Sequence, residues 1–223
     1  MIPFNSYKEC RRELSSLLKV VNFLRDERDN YEEVYATLCN GNVIILGTLF
    51  ESFTENIIQE YIDAITVEFN NRRLIYRDLP DGIKEYIAKK IVAINHKKDF
   101  EKMHYGQAIK LLEKFLNGLD QDGFLIDKEL DGINKFSFGK HGESEVTKTF
   151  KRIGIDATEM LPDASELNNF FNLRNGIVHS DQVSMTIGTL PDPSEIRKYI
   201  LLLYSYSKSV NEKLMEKLTN GST

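Results

Sequence analysis

Cysteine is scarce in this chain: Cys10 and Cys39 are the only two in 223 residues. They have neither metal-ligand spacing nor the density of a secreted disulfide scaffold, so a reduced, cytoplasmic setting is the expectation. Long apolar runs are missing as well. The greasiest stretch, VIILGTLF at 43–50, is stopped by Glu51 well short of a membrane span, and the N-terminal MIPFNSYKEC lacks the apolar core of a signal segment. No membrane partner is expected. Excess positive charge is absent too: a net charge of −5 and a sequence pI near 5.5 exclude a protein that coats nucleic acid through bulk electrostatics. Any contact with nucleic acid must be local. The basic clusters at Arg72, Arg73 and Arg77, at Lys89, Lys90, Lys97 and Lys98, and at Lys148, Lys151 and Arg152 read first as solvated helix faces. There is no Gly-rich phosphate loop, no nucleophile elbow, no internal repeat and no low-complexity tract. His96, His104 and His141 form no metal spacing, and neither cysteine has a histidine near it in sequence, so no metal or cofactor is expected.

What the chain has is helical periodicity. Hydrophobic content of 41% and charged content of 28% are those of an ordinary globular protein, and the length favours one domain over residues 1–223. Leu14, Leu17, Leu18, Val21 and Leu24 recur at spacings of three and four behind Asn5 and Ser6 as caps. A longer helix from about Glu32 to Phe69 carries Val43, Leu46, Phe50, Phe53, Ile57 and Tyr61. Gly41 and Gly47 inside it cost helix stability and predict a closely packed neighbour. Pro80-Asp81-Gly82 is punctuation before a stripe of Ile83, Ile87, Ile91 and Ile94. Asp99 can cap a helix bearing Met103, Ala108, Leu111, Leu112 and Phe115. Residues 118–142 read as a long loop, with a short extended pair around Phe136 and Phe138. Glu143 to Arg152 is a short helix closed by Gly154. Asp163-Ala-Ser-Glu166 is a capping box opening a helix over about 164–180, and Asp192-Pro193-Ser194-Glu195 repeats the device for a last helix over about 193–218. The economical reading is a single all-α bundle.

Chemistry concentrates in FFNLRNGIVHSD, residues 170–181. On a wheel of about 100° per residue, Leu167, Phe170, Phe171, Ile177 and Val178 fall within about 60° of Arg174, which therefore sits in the middle of an apolar arc. Asn168, Asn172, Asn175 and His179 form a polar strip on its flank. A guanidinium keeps its charge inside a protein, so either a carboxylate from another helix pairs with Arg174 or the arc faces a cleft that takes an anion. Plainer readings exist: an arginine near a helix C-terminus snorkels and favours the dipole, and a histidine there caps carbonyls. Gly176 lets a backbone approach, either from a second subunit or from another helix of the same one.

Arg174-Asn175-Gly-Ile-Val-His179 resembles the signature of the HEPN superfamily: an Arg, a polar residue that is often Asn, three residues and a His. Members found in bacterial defence and toxin genes are similar in helix layout and apolar texture over most of residues 5–218, including the early NVIILGTLFESFTENIIQEY and one closing helix. The resemblance implies a HEPN-like up-and-down helical bundle with a long insertion loop and short extra helices. It also implies a homodimer in which two copies of the motif face each other across a two-fold cleft. The implied activity is a metal-independent endoribonuclease: the ribose 2′-hydroxyl attacks the neighbouring phosphate, leaving a cyclic phosphate and a free 5′-hydroxyl. Arg174, Asn175 and His179 are then the catalytic residues.

The residue types agree with that reaction. An imidazole titrates near neutrality, so His179 can take or give a proton, while Arg174 offers a planar fork to a phosphorane gaining charge. Asn175 orients the ring or hydrogen-bonds the phosphate. Ser180 beside the motif and Lys140 and His141 in the basic loop NKFSFGKH are candidate substrate contacts. Phe136 and Phe138 in that loop stack on unpaired bases or, the plainer reading, tuck the loop onto the core. The expected partners are RNA, tRNA among the candidates, a second copy of the chain, and an inhibitory antitoxin or regulatory protein. The alternative is a non-catalytic helical module that binds protein or RNA.

Overall fold

The computed structural model describes residues 3–26, 32–71, 78–95, 130–136, 142–158, 160–161, 163–179 and 191–220. All six of its regular elements are α-helices: α1 (Asn5–Asp26), α2 (Glu32–Asn70), α3 (Asp81–Asn95), α4 (Glu143–Arg152), α5 (Ala164–His179) and α6 (Pro193–Asn220). There is no strand among the described residues, so Phe136 is not part of an extended pair; Phe138 and the expected helix behind Asp99 lie outside them. No helix among the described residues is long and apolar enough to cross a membrane.

The long helix α2 is the axis of the bundle, because its buried stripe, which includes Val43, Leu46, Phe50, Phe53, Ile57, Ile58, Tyr61 and Ile62, is wide enough to meet more than one neighbour. It packs against α1, α5 and α6, and α1 packs along α6. Phe50 is the hub. Its ring stacks on Tyr206 of α6 at 4.8 Å between centroids and meets the edge of Phe171 of α5 at 5.1 Å. A polar contact crosses this core, between the hydroxyls of Thr54 and Tyr206 at 2.9 Å, and burial raises the Tyr206 phenol well above its ordinary range.

The start of α1 corrects the sequence reading. Asn5 and Ser6 are the first two helical residues, and the cap comes from α2: the Glu60 carboxylate accepts the Asn5 N–H at 2.8 Å, the Ser6 N–H at 2.8 Å and the Ser6 hydroxyl at 2.6 Å. An anion at a helix N-terminus answers both the unpaired amides and the dipole. The expected aspartate caps do operate on α5 and α6, where Asp163 Oδ1 accepts the Glu166 N–H at 3.0 Å and Asp192 Oδ1 accepts the Ser194 N–H at 2.7 Å, while Glu166 and Glu195, the other halves of the expected boxes, face Lys198 and Tyr199.

The short helix α4 joins α3 to α5. It ends at Gly154, whose φ of 75° suits glycine, and the backbone there lies so close to α3 that a Cβ on Gly82 would sit 2.4 Å from both Gly154 N and Lys151 O. Ahead of α4, residues 130–136 are strapped onto α2. The Glu55 carboxylate accepts the Phe136 N–H at 3.2 Å and pairs with Lys135 at 2.5 Å, while the Asn134 amide donates to the Glu55 carbonyl at 3.0 Å. Phe136 packs half-buried against the core, the plainer of its two sequence readings.

Candidate functional site

Helix α5 begins in the core and ends out of it. Leu167, Phe170 and Phe171 are buried, with the Phe170 ring 5.1 Å from that of Tyr199 on α6. Two turns later Ile177 is only half-buried and Val178 is 45% exposed. The apolar arc seen on the wheel is thus continuous in sequence but leaves the interior over its last two turns. Arg174 stands at that exit, its side chain 15% exposed.

The arginine lies across α2. A Cβ on Gly47 would be 3.2 Å from Arg174 Cγ, 3.5 Å from its Nε and 3.7 Å from Phe170 Cζ, so the missing side chain at 47 is what lets the arm pass. Beyond that notch the guanidinium meets Glu51, with Nη2 3.8 Å from Oε1, and donates through Nη1 to Asn175 Oδ1 at 3.1 Å. Gly47 and Glu51 are four residues apart and share one face of α2. The sequence posed a choice between a carboxylate partner and an open cleft, and the structure supplies the carboxylate. Its facing oxygen, Oε1, is buried although the Glu51 side chain as a whole is 26% exposed, and this contact is longer than a hydrogen bond.

Of the residues expected at the site, the structure brings Arg174 and Asn175 together and gives Asn175 a defined task, accepting from the guanidinium. His179 is the last residue of α5, one turn beyond Asn175; its side chain lies outside the described residues, as do Ser180, Lys140 and His141 entirely. Asn168, at the start of the polar strip, is engaged elsewhere: its Oδ1 accepts the Glu143 N–H at 3.1 Å and anchors α4. Among the described residues a Cβ on Gly176 would meet no atom within 4 Å, so no described helix of the same subunit packs against the glycine. Among the described residues Gly41 is likewise open, and of the two α2 glycines Gly47 is the one with the close neighbour that the sequence predicts for both.

Sequence reasoning missed Gly47 and Glu51 as parts of the site. The available signal was Glu51 itself, the first charge after residues 34–50, where α2 carries no Asp, Glu, Lys or Arg. Behind the site, burial together with the Glu195 and Glu166 carboxylates pushes the Tyr199 hydroxyl up to about 12, which removes it from proton transfer near neutrality. Among the described residues no three His, Cys, Asp or Glu side chains gather as a metal site.

The chain matches the family described as RiboL-PSP-HEPN over residues 5–216, which takes in all of α1 to α5 and most of α6. No curated protein and no solved structure matches it.

Proposed function

Since the chain belongs to the RiboL-PSP-HEPN family of the HEPN superfamily, we propose that it is a metal-independent endoribonuclease whose site is built from Arg174, Asn175 and His179. The observation that carries this reading is the guanidinium held at the point where an apolar helix face leaves the core, tied to Asn175 and one turn from His179. A positive group there, walled on one side by Phe170, favours a phosphodiester becoming more negative.

In the reaction, His179 takes the proton of the ribose 2′-hydroxyl as the 2′-oxygen bonds to phosphorus. The phosphorus–O5′ bond breaks, and an imidazolium protonates the departing O5′. One chain offers a single motif histidine, so a second copy supplies the other. The surface that suits such a copy is the exposed side of α2. Thr37, Leu38, Ile44, Ile45 and Thr48 face outward there, Ile44 at 38% and Ile45 at 54% exposure, and the helix has no charge from 34 to 50. A two-fold contact sets each group near its own image, and an uncharged strip meets that condition without like-charge repulsion. Ile44 lies within about 20° of Glu51 around α2, so the strip borders the Arg174 notch. Release of such an enzyme in a cell fits a toxin or anti-phage effector held by an inhibitory partner.

The test incubates the purified protein and its His179→Ala and Arg174→Ala variants with total RNA and tRNA in excess chelator. Cleavage by the parent alone, leaving cyclic phosphate and 5′-hydroxyl ends, is expected; cleavage that survives in either variant or disappears with chelator sinks the mechanism. Expression of the parent, but of neither variant, should slow growth of the host. The Arg174–Glu51 contact favours a second reading, a non-catalytic binding module in which the pair only joins α5 to α2. That reading expects no cleavage and no growth defect.

A further inference from the structure

Gly47 and Glu51 do more than tolerate Arg174. We propose that they form its seat: Gly47 is the groove through which the arm is laid, and Glu51 is a positioning residue that stays beside the guanidinium and aims it at the mouth of the site while a phosphodiester competes for its charge. An arginine arm has four flexible torsions, and an exposed one samples many directions. Here its Cγ and Nε pass within van der Waals reach of the Gly47 position, Phe170 closes one side, and the Asn175 amide oxygen and the Glu51 carboxylate fix the head from two directions. The facing oxygen, Glu51 Oε1, is buried but stands off at 3.8 Å. That spacing aims the charge while leaving it exchangeable, whereas a close bidentate pair would bind it too tightly to be surrendered.

The same carboxylate opposes the incoming phosphate, since both are anions competing for one cation. Removing its charge therefore has two effects of opposite kind. Ground-state binding of a nucleic-acid backbone improves because the competitor is gone. The chemical step slows because the guanidinium is no longer aimed at the position where charge develops. These kinetic consequences rest on the ribonuclease reading; the seat itself rests on geometry alone.

The experiment compares the full-length parent with Glu51→Gln, Glu51→Asp and Gly47→Ala. The first readout needs no RNA: hydrogen exchange at the Arg174 Nε–H, followed by NMR and assigned with Arg174→Lys, should be at least tenfold faster in Glu51→Gln. The second uses a non-cleavable 2′-O-methyl oligoribonucleotide as the probe, which Glu51→Gln should bind at least threefold more tightly while its kcat on the matching RNA falls at least tenfold. Glu51→Asp keeps the charge but not the reach, and should lose kcat without the gain in binding; Gly47→Ala should behave likewise. Exchange unchanged in Glu51→Gln overturns the seat. So does a fall in kcat and melting temperature without tighter probe binding, which is what a merely structural residue gives. Faster exchange in a protein whose parent neither binds the probe nor cleaves RNA leaves the seat standing and removes the ribonuclease reading instead.

Discussion

Gly41 and Gly47 sit in the same long helix, and replacing each with alanine separates what the helix gains from what the site loses. An interior Gly→Ala change favours the helical state by about 0.8–1.0 kcal/mol wherever the new methyl meets nothing. At Gly41 it meets no atom of the described residues within 4 Å. Gly41→Ala is thus expected to stabilise the protein by about 0.8 kcal/mol, or roughly 2–3 °C in melting temperature for a chain of this size. At Gly47 the same methyl lies 3.2 Å from Arg174 Cγ and 3.5 Å from its Nε. Crowding of this kind costs about 1–3 kcal/mol, which offsets or exceeds the helical gain and leaves a net change between about 0 and −2 kcal/mol. The two variants should therefore differ by at least about 1 kcal/mol. Urea unfolding followed by circular dichroism measures this, with protein dilute enough that any dimer is dissociated and only contacts within the chain count. Equal stabilisation by both substitutions refutes the reasoning, because it means that Arg174 does not lie over Gly47.

Three other expectations follow from the same structure. Glu60→Ala removes the carboxylate that caps α1 with three hydrogen bonds, and should cost about 1–2 kcal/mol in urea unfolding; Glu60→Gln, which keeps one acceptor oxygen, should cost less. Ile45→Lys places a charge on the strip assigned to the second copy, where Ile45 is 54% exposed; light scattering should show the dimer lost while the urea midpoint of the dilute protein is unchanged. Finally, burial pushes both the Cys10 thiol and the Tyr61 hydroxyl up to about 12. Ordinary values near 8.5 and 10 apply once the chain is unfolded, so the unfolded state gives up these protons first. The stability contributed by keeping both groups neutral is complete below about pH 8.5 and declines as the pH rises toward 12, so the urea midpoint should hold from pH 6 to 8 and fall above 9.

Helix order was legible in the sequence wherever the signal was local. Spacings of three and four located α1, α2 and α6 to within a few residues because each buries a continuous stripe, and Asp163 and Asp192 marked their helix starts through side chains that reach only to the next turn. The cap of α1 escaped for the converse reason. Asn5 and Ser6 look like caps in isolation, but Glu60 arrives from another helix and carries a full charge, so the helix begins earlier and takes the stronger acceptor. Glycines show the same divide. Gly82 reads as plain punctuation after Pro80, and only the assembled bundle reveals that its missing Cβ admits the end of α4 at 2.4 Å.

The site divides along that line too. The wheel placed Arg174 among apolar residues, and electrostatics then required something to answer its charge. What answers it could not be read from α5, because Glu51 belongs to a helix far upstream and its register against Arg174 is set by how Phe50, Phe170 and Phe171 interlock. The packing of three aromatic rings thus decides which turn of α2 faces the guanidinium. A one-turn slip of α2 would bring Gly47 or Glu55 opposite Arg174 in place of Glu51, and Glu55 is already committed to Lys135 and Phe136. The charge of the site and the register of the core are therefore one problem. A substitution that shifts the Phe50–Phe171 contact should disturb Arg174 before it unfolds the bundle.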